Sequence, residues 1–306
     1  ELKVEDYKCV FGNAKFLKYP LIRGVVSFVD SLVVGTKCLM YSAEIAGDEE
    51  DEEDKQKNAA LSEEELAAKK AKEDKQFKWL LYVTVAVSIV VSVAAFMLLP
   101  YALASLCRRG GASEFAVTIV EAFVKLALFM GYMLLISRMK DIQRTFMYHG
   151  AEHKCINCIE KGRPLTVYNA MKSSRIHKRC GTSFLFFVVF VSIILFFFIR
   201  VSNPVYRVLL RIALIPVIAG ISYEIIRLAG RSDNILIRII SAPGMWLQKL
   251  TTKEPDEEML EVAIKSVEAV FDWKNYLYEE FGYEVDESWM RDGALSDDSE
   301  EGTGEE

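Results

Sequence analysis

The sequence predicts an all-α polytopic membrane protein with four transmembrane helices and further amphipathic helices lying at the membrane surface. Three observations lead there. Apolar residues make up 52% of the 306-residue chain, yet charged residues still reach 26% and the mean hydropathy is +0.17. That mixture suits alternating membrane and aqueous segments better than a single soluble domain. Four stretches also reach the roughly 20 apolar residues that cross a bilayer, and Lys and Arg are distributed unevenly between the segments that join them.

The first span runs from Trp79 to Leu106, interrupted by Pro100 near its end, and the second from Phe115 to Ile136, with Glu121 and Lys125 one turn apart. The third, Thr182 to Ile199, is free of charge and rich in Phe. The fourth, Val205 to Ile226, carries Arg207, Arg211 and Glu224. Glu121 and Lys125 read as an intrahelical ion pair, and Arg207 and Arg211 as side chains that snorkel to the outer interface. The segment from Arg138 to Arg179 holds ten basic residues, the approach to span one five more (Lys69, Lys70, Lys72, Lys75, Lys78), and Arg227 and Arg231 follow span four. The opposite side has Arg108, Arg109, Arg200 and Arg207. This bias predicts a multi-pass protein of the bacterial cytoplasmic membrane with both termini in the cytoplasm. The six cysteines would then face a reducing compartment.

The remaining segments follow from composition. Residues 1–47 form an N-terminal region in which Lys18 to Ala46, broken by Arg23, Asp30 and Lys37, reads as an interfacial or re-entrant helix. The polar start Glu1-Leu2-Lys3 resembles no signal peptide, and without an initiator Met the N-terminus is expected further upstream. Residues 48–77 are a charged cytoplasmic linker and helix that opens with the acidic run Asp48 to Asp54 and the capping-box pattern Ser62-Glu63-Glu64-Glu65. Residues 78–137 and 182–228 hold the paired spans, and 138–181 a cytoplasmic His/Cys loop. Residues 229–275 form interfacial and amphipathic helices, with Pro243-Gly244 as a break. Asp256 would cap a helix whose apolar stripe is Met259, Val262, Ala263, Val267 and Val270. Residues 276–306 are an acidic tail, expected to be disordered. No basic patch interleaved with aromatics argues for nucleic acid.

All three histidines, His149, His153 and His177, lie in the loop between spans two and three, together with Cys155, Cys158 and Cys180. His149 and His153 stand four apart, which on a helix places both imidazoles on one face, about 40° apart in projection. Glu152 precedes the second, an H-x-x-E-H order used for a metal with an adjacent carboxylate base. The open, catalytic reading takes His149 and His153 as ligands with His177, Cys180 or Glu224 completing the set. Glu152 is then base, and Lys154 or Arg179 stabilises developing negative charge. The metal would be a divalent cation, Zn2+ by donor type. A closed reading uses Cys155, Cys158, His177 and Cys180 as a structural Cys3His site, and a third treats Cys155 and Cys158 as a redox pair.

The chain resembles a known family. Tyr148-His149-Gly150-Ala151-Glu152-His153-Lys154, followed by His177-x-Arg179-Cys180-Gly181-Thr182-Ser183-Phe184, is similar to the signature of the bacterial YqhQ-like group, DUF1385. Leu21 to Val26, Leu214 to Glu224 and Pro243 to Pro255 extend the likeness over roughly residues 15 to 270. The resemblance implies a membrane protein and a metal-dependent enzyme. Two departures accompany it: the family's glycine-rich opening is missing, and Cys155 and Cys158 lie outside its pattern. The second moves weight toward a site centred on the histidines.

The expected function is therefore metal-dependent hydrolysis at the cytoplasmic membrane surface, acting on a membrane peptide or a lipid in contact with the bilayer. The alternative is a non-enzymatic, chaperone-like binding scaffold in which a structural metal or polar network caps the helices. A transporter, which with four spans would need a homo-oligomer to line a path, is the third class.

Overall fold

The computed structural model describes residues 2–10, 12, 17, 19–47, 63–199, 201, 203–232 and 234–285. Among these, every regular element is a helix. We number them α1 (Ile22–Gly47), α2 (Glu63–Val93), α3 (Leu99–Arg109), α4 (Glu114–Ile136), α5 (Lys140–Glu160), α6 (Val167–Lys172), α7 (Gly181–Phe198), α8 (Pro204–Ala213), α9 (Ile215–Ala229), α10 (Ile235–Thr251), α11 (Glu257–Glu268) and α12 (Trp273–Phe281). The acidic run Asp48 to Asp54, Ser62 and the tail from Asp286 onward lie outside the described residues, whereas residues 276–285 of the segment expected to be disordered include the end of α12.

Five helical stretches are long and apolar enough to cross a membrane: Ile22–Ser42, Lys75–Arg109, Glu114–Ile136, Gly181–Phe198 and Val205–Ala229. Four overlap the spans expected from sequence. The fifth is the segment assigned to the surface because charges interrupt it. One of those charges is covered: Asp30 accepts from Cys9 Sγ (2.8 Å) and Val10 N (3.0 Å). At 26 residues, α1 would extend about 39 Å, more than a hydrocarbon core of about 30 Å.

Proline explains the irregularities within two stretches. Before Pro100 the helix widens into a π turn, Ala94–Leu98, because proline lacks an N–H and crowds the carbonyl four residues back. Pro216 sits at the second position of α9, and the helix breaks between α8 and α9 at Leu214. Pro243, in contrast, lies inside an unbroken α10, so the expected break at Pro243-Gly244 does not occur. Gly244 is instead where α10 passes Ser183, and a Cβ there would sit 3.0 Å from the Ser183 side chain.

The chain divides into two compact units, one of Glu1–Tyr7, Met130–Ser192 and Gly220–Glu306, the other of Lys8–Phe129 and Ile193–Ala219. In the first, α5 buries Ala151, Cys155, Cys158 and Ile159, spaced at helical intervals, against Leu165, Ala170, Met259, Leu260, Ile264, Trp273 and Leu277. Asp256 caps α11 as expected, accepting from Met259 N at 2.8 Å. The stripe it presents is Met259, Leu260 and Ile264, with Ala263 and Val267 beside them, whereas Val262 and Val270 are exposed. At 100° per residue Val262 falls off that face, and Val270 lies beyond the end of the helix. Two residues past the end of α5 stands Gly162, whose φ of +72° suits glycine, and Tyr283 donates a hydrogen bond to its carbonyl.

In the second unit, Arg207 and Arg211 do not snorkel outward. Both are buried, and Arg211 Nη1 lies 2.5 Å from Glu121 Oε1. The carboxylate expected to pair with Lys125 along its own helix also reaches across to α8.

Candidate metal centre

Helix α5 presents His149 and His153 on one face, as their four-residue spacing requires. Cys180 comes from the residue preceding α7, whose carbonyl accepts from Phe184 N (3.3 Å) and whose sulfur accepts from Thr182 N (3.4 Å). The thiol thus caps a helix N-terminus, where backbone amides favour negative charge. One ligand atom from each of His149, His153 and Cys180 lies within 4.8 Å of the others. The Cys180 sulfur is 3.3 Å from His149 Nε2.

Backbone carbonyls aim the two rings. His149 Nδ1 donates to Thr251 O at 2.9 Å, and His153 Nδ1 donates to Arg175 O at 2.7 Å. A carbonyl can only accept, so each Nδ1 carries a proton and each Nε2 is the ring atom turned toward Cys180. The ring centroids are 4.4 Å apart.

Each aiming carbonyl is itself held. Arg175 belongs to the loop 173–179, which is pinned at both ends. Lys154 Nζ donates to Met171 O (2.7 Å) and Ser173 O (2.9 Å), and Asn157 Nδ2 donates to Ser174 O (2.7 Å) and Ile176 O (3.0 Å). Gln248, fully buried on α10, accepts from His177 N (2.9 Å) and donates to His177 O and Ser183 Oγ, both at 2.8 Å. Thr251 ends α10, and the following Thr252-Lys253-Glu254 runs along α5, where Lys253 N donates to Phe146 O at 2.9 Å. The approach is so close at Gly150 that a methyl there would overlap the Lys253 carbonyl oxygen. Arg175 closes the frame, donating to Thr252 O and pairing with Glu254 at 3.1 Å.

Three candidate residues sit apart from this cluster. His177 has its ring centroid 5.8 Å from that of His153, and its Nε2 faces Glu160 Oε2 at 3.1 Å. Glu224 is half-buried on α9 and is not among the converging ligand atoms. Arg179 is exposed, pairs with Glu160 and lies over Gly230. Glu160 is held below the ordinary carboxylate range, chiefly by the hydrogen bond from His177 and then by the charges of His177 and Arg179.

Lys154 is 4% exposed and has Glu254 Oε2 at 3.0 Å besides its two carbonyls. All three of its N–H groups are thereby occupied. Glu152 is exposed on α5, and its charge is felt at His149. Cys155 and Cys158 face the apolar core, where burial pushes their thiols up to about 12 and about 11. The four groups of a Cys3His site are therefore not assembled. Gln248, Glu160, Asn157 and Glu254 were not singled out from sequence, since no local pattern distinguishes a buried polar anchor from a surface one.

The electrostatics favour a charged sulfur. Burial alone would push the Cys180 thiol up, but hydrogen bonds and charge from His149 and His153 outweigh it and bring the value down to about 5. For His149, burial acts downward and the contacts with Cys180 and Thr251 raise the net value above the ordinary one. A thiolate and two Nε2 atoms, once the proton shared with the sulfur has left, are the donors a borderline-soft divalent ion accepts, and three protein ligands leave one position of a tetrahedron open.

A helical protein with membrane-length apolar helices and a His/His/Cys cluster is the class these features define. Residues 19–273 match the family described as Protein of unknown function (DUF1385), and the chain belongs to that family. It is 37% identical over 259 residues to a Bacillus subtilis (strain 168) protein named Uncharacterized protein YqhQ, a match covering 81% of this chain and 76% of the relative. No solved structure matches.

Proposed function

We propose that the cluster holds a divalent metal ion, zinc by donor type, and that the protein catalyses metal-assisted hydrolysis at the surface of the bacterial cytoplasmic membrane, with the cluster and both termini on the cytoplasmic side. The observation that carries this reading is the pair of Nδ1–H donations to Thr251 O and Arg175 O. They place a proton on each Nδ1 and turn both Nε2 atoms toward a sulfur whose thiol is brought down to about 5. His149, His153 and Cys180 would be the ligands. Such an ion supplies Lewis acidity and a water whose pKa falls to about 7.

The rest of the work falls to the chain. Glu152, the exposed carboxylate beside both histidines, takes the role of base. Lys154 and Arg179 are engaged with Glu254, Glu160 and backbone carbonyls, so their part is to hold the site together rather than to stabilise charge on a substrate. Substrates would be groups presented at the bilayer surface, a membrane peptide or a lipid.

Metal content of the purified protein tests the first claim. Wild type should carry close to one equivalent of zinc, and His153→Ala and Cys180→Ser should lose it while remaining helical. Retention of metal by both folded variants would end this reading.

One feature favours the rival class, a binding scaffold with a polar cap: Lys154, His177, Arg179 and Gln248 are all committed to contacts within the protein. Glu152→Gln separates the two. An enzyme loses turnover with metal and fold intact, whereas a scaffold binds its partner as before.

A further inference from the structure

Helix α10, in the first compact unit, presents three different faces along its 17 residues. Ser241, Gly244, Leu247, Gln248 and Thr251 are buried, and Gly244 crosses α7 at Ser183. Roughly opposite, at 100° per residue, Ile235, Ile239 and Trp246 stand 73%, 64% and 55% exposed. Between these two faces lie Arg238 and Lys249, both exposed. Their separation is close to three full turns, so they share one edge of the helix, about 17 Å apart along its axis. They are the only charged residues of α10, and both are positive.

This order of faces fits a helix laid along a bilayer surface with the rest of its unit at one side. At about 25 Å, α10 falls short of a hydrocarbon core of about 30 Å. Its last turn is tied to the start of α7: Gln248 Nε2 donates to Ser183 Oγ at 2.8 Å, and Thr251 Oγ1 lies 3.3 Å from Thr182 Oγ1. Upright from there, the helix would carry Arg238 into hydrocarbon; laid flat, it brings both cations to the head groups at one level. Pro243 agrees with this placement. It has no N–H for the Ile239 carbonyl, a deficit that interfacial water fills and hydrocarbon does not. Trp246 is of the residue type that favours that boundary. The crossing at Ser183 also lies two residues before Leu185, whose exposed side chain opens the apolar exterior of membrane-length α7.

We propose that α10 is a membrane-surface helix that gathers anionic phospholipid, its apolar face set into the acyl boundary and Arg238 and Lys249 on the head groups. The apolar face alone suits any bilayer. Two cations on one edge, in a helix without an acid, select the negatively charged one. The lipid contact requires no metal in the His/His/Cys cluster, although the same helix ends at Thr251, whose carbonyl aims His149.

The test uses the purified full-length chain in phosphatidylcholine nanodiscs containing a minor fraction of lipid brominated at shallow acyl carbons. The bromine is carried either on phosphatidylglycerol or on phosphatidylcholine, and the Trp246 signal is the fluorescence lost in Trp246→Phe. Brominated phosphatidylglycerol should quench Trp246 at least about twofold more than brominated phosphatidylcholine, and raised salt should narrow the difference. Arg238→Gln combined with Lys249→Gln should abolish the difference and leave quenching by brominated phosphatidylcholine unchanged. Arg144→Gln, at an exposed position on α5, should alter neither. Equal quenching by the two head groups would overturn the proposal, as would a folded double variant that keeps the difference. A signal quenched by aqueous iodide but by neither brominated lipid would show that the face meets water, and one quenched by none of the three that another protein surface covers it; either result overturns the proposal too. The head-group and iodide comparisons stand even if the double variant fails to fold.

Discussion

Replacing Gly150 by alanine sets two opposing effects against each other. In a helix interior the exchange ordinarily stabilises by about 1 kcal/mol. Here the new methyl meets the Lys253 carbonyl oxygen, a backbone atom that cannot rotate away as a side chain would. Overpacking of this kind costs about 1–3 kcal/mol. Relief requires the segment after α10 to move off α5, which stretches the Lys253 N to Phe146 O bond and the His149 Nδ1 to Thr251 O bond, each worth about 1 kcal/mol. The repulsion and lost bonds exceed the helical gain, for a net destabilisation of about 2 kcal/mol. Because Thr251 O aims His149, metal affinity should fall about tenfold, the lower end of the effect of removing a ligand's hydrogen-bond partner. Unfolding in detergent and zinc titration of the same variant measure both. By contrast, Gly35 has open space around it, and Gly35→Ala should not destabilise. A Gly150→Ala protein as stable as wild type, with unchanged zinc affinity, would show that α5 and the Lys253 segment do not meet as described.

Four further outcomes follow from the site. In metal-free protein, Cys180 should alkylate with a pH midpoint near 5 rather than near 9, while Cys155 and Cys158 stay unmodified until unfolding; peptide mass mapping reads all three. The depressed thiol adds stability that is complete above its unfolded value and lost as pH falls toward 5. The raised His149 adds stability that is lost as pH rises through its folded value, so metal-free protein should resist unfolding best between those limits. His177→Ala and Glu224→Gln should each keep the zinc stoichiometry of wild type, because neither contributes a converging ligand atom; loss of metal in either would enlarge the ligand set. Lys154→Met strands two carbonyls in a buried setting and should cost about 2–4 kcal/mol, with a parallel drop in zinc affinity as the loop carrying Arg175 O loosens. The exposed partner Glu254 adds little to that figure. A variant as stable as wild type would remove Lys154 from the frame.

Much of the molecule could be read along the chain, because the relevant physics is local. Runs of apolar residues at membrane length announce helices whatever they pack against, and four of the five membrane-length stretches were visible that way. The four-residue spacing of His149 and His153 places them together on any helix, and Asp256 caps α11 through a bond to a residue three positions on. Even the irregularities at Pro100 and Pro216 follow from a missing N–H. What the chain alone left open are choices between distant partners. Cys155, Cys158, His177 and Cys180 have ligand-like spacing, but the turn of α5 sends the first two into the core, and Glu160 and Gln248 engage His177. Only Cys180, held at the mouth of α7, meets the histidines. Asp30 looked too polar for a membrane-length helix until Cys9 and Val10 were seen to cover it. Arg211 found Glu121 on another helix instead of water. In each case the deciding energy is a desolvated charge or hydrogen bond between residues far apart in sequence, and such a bond exists only once folding has brought its two ends together.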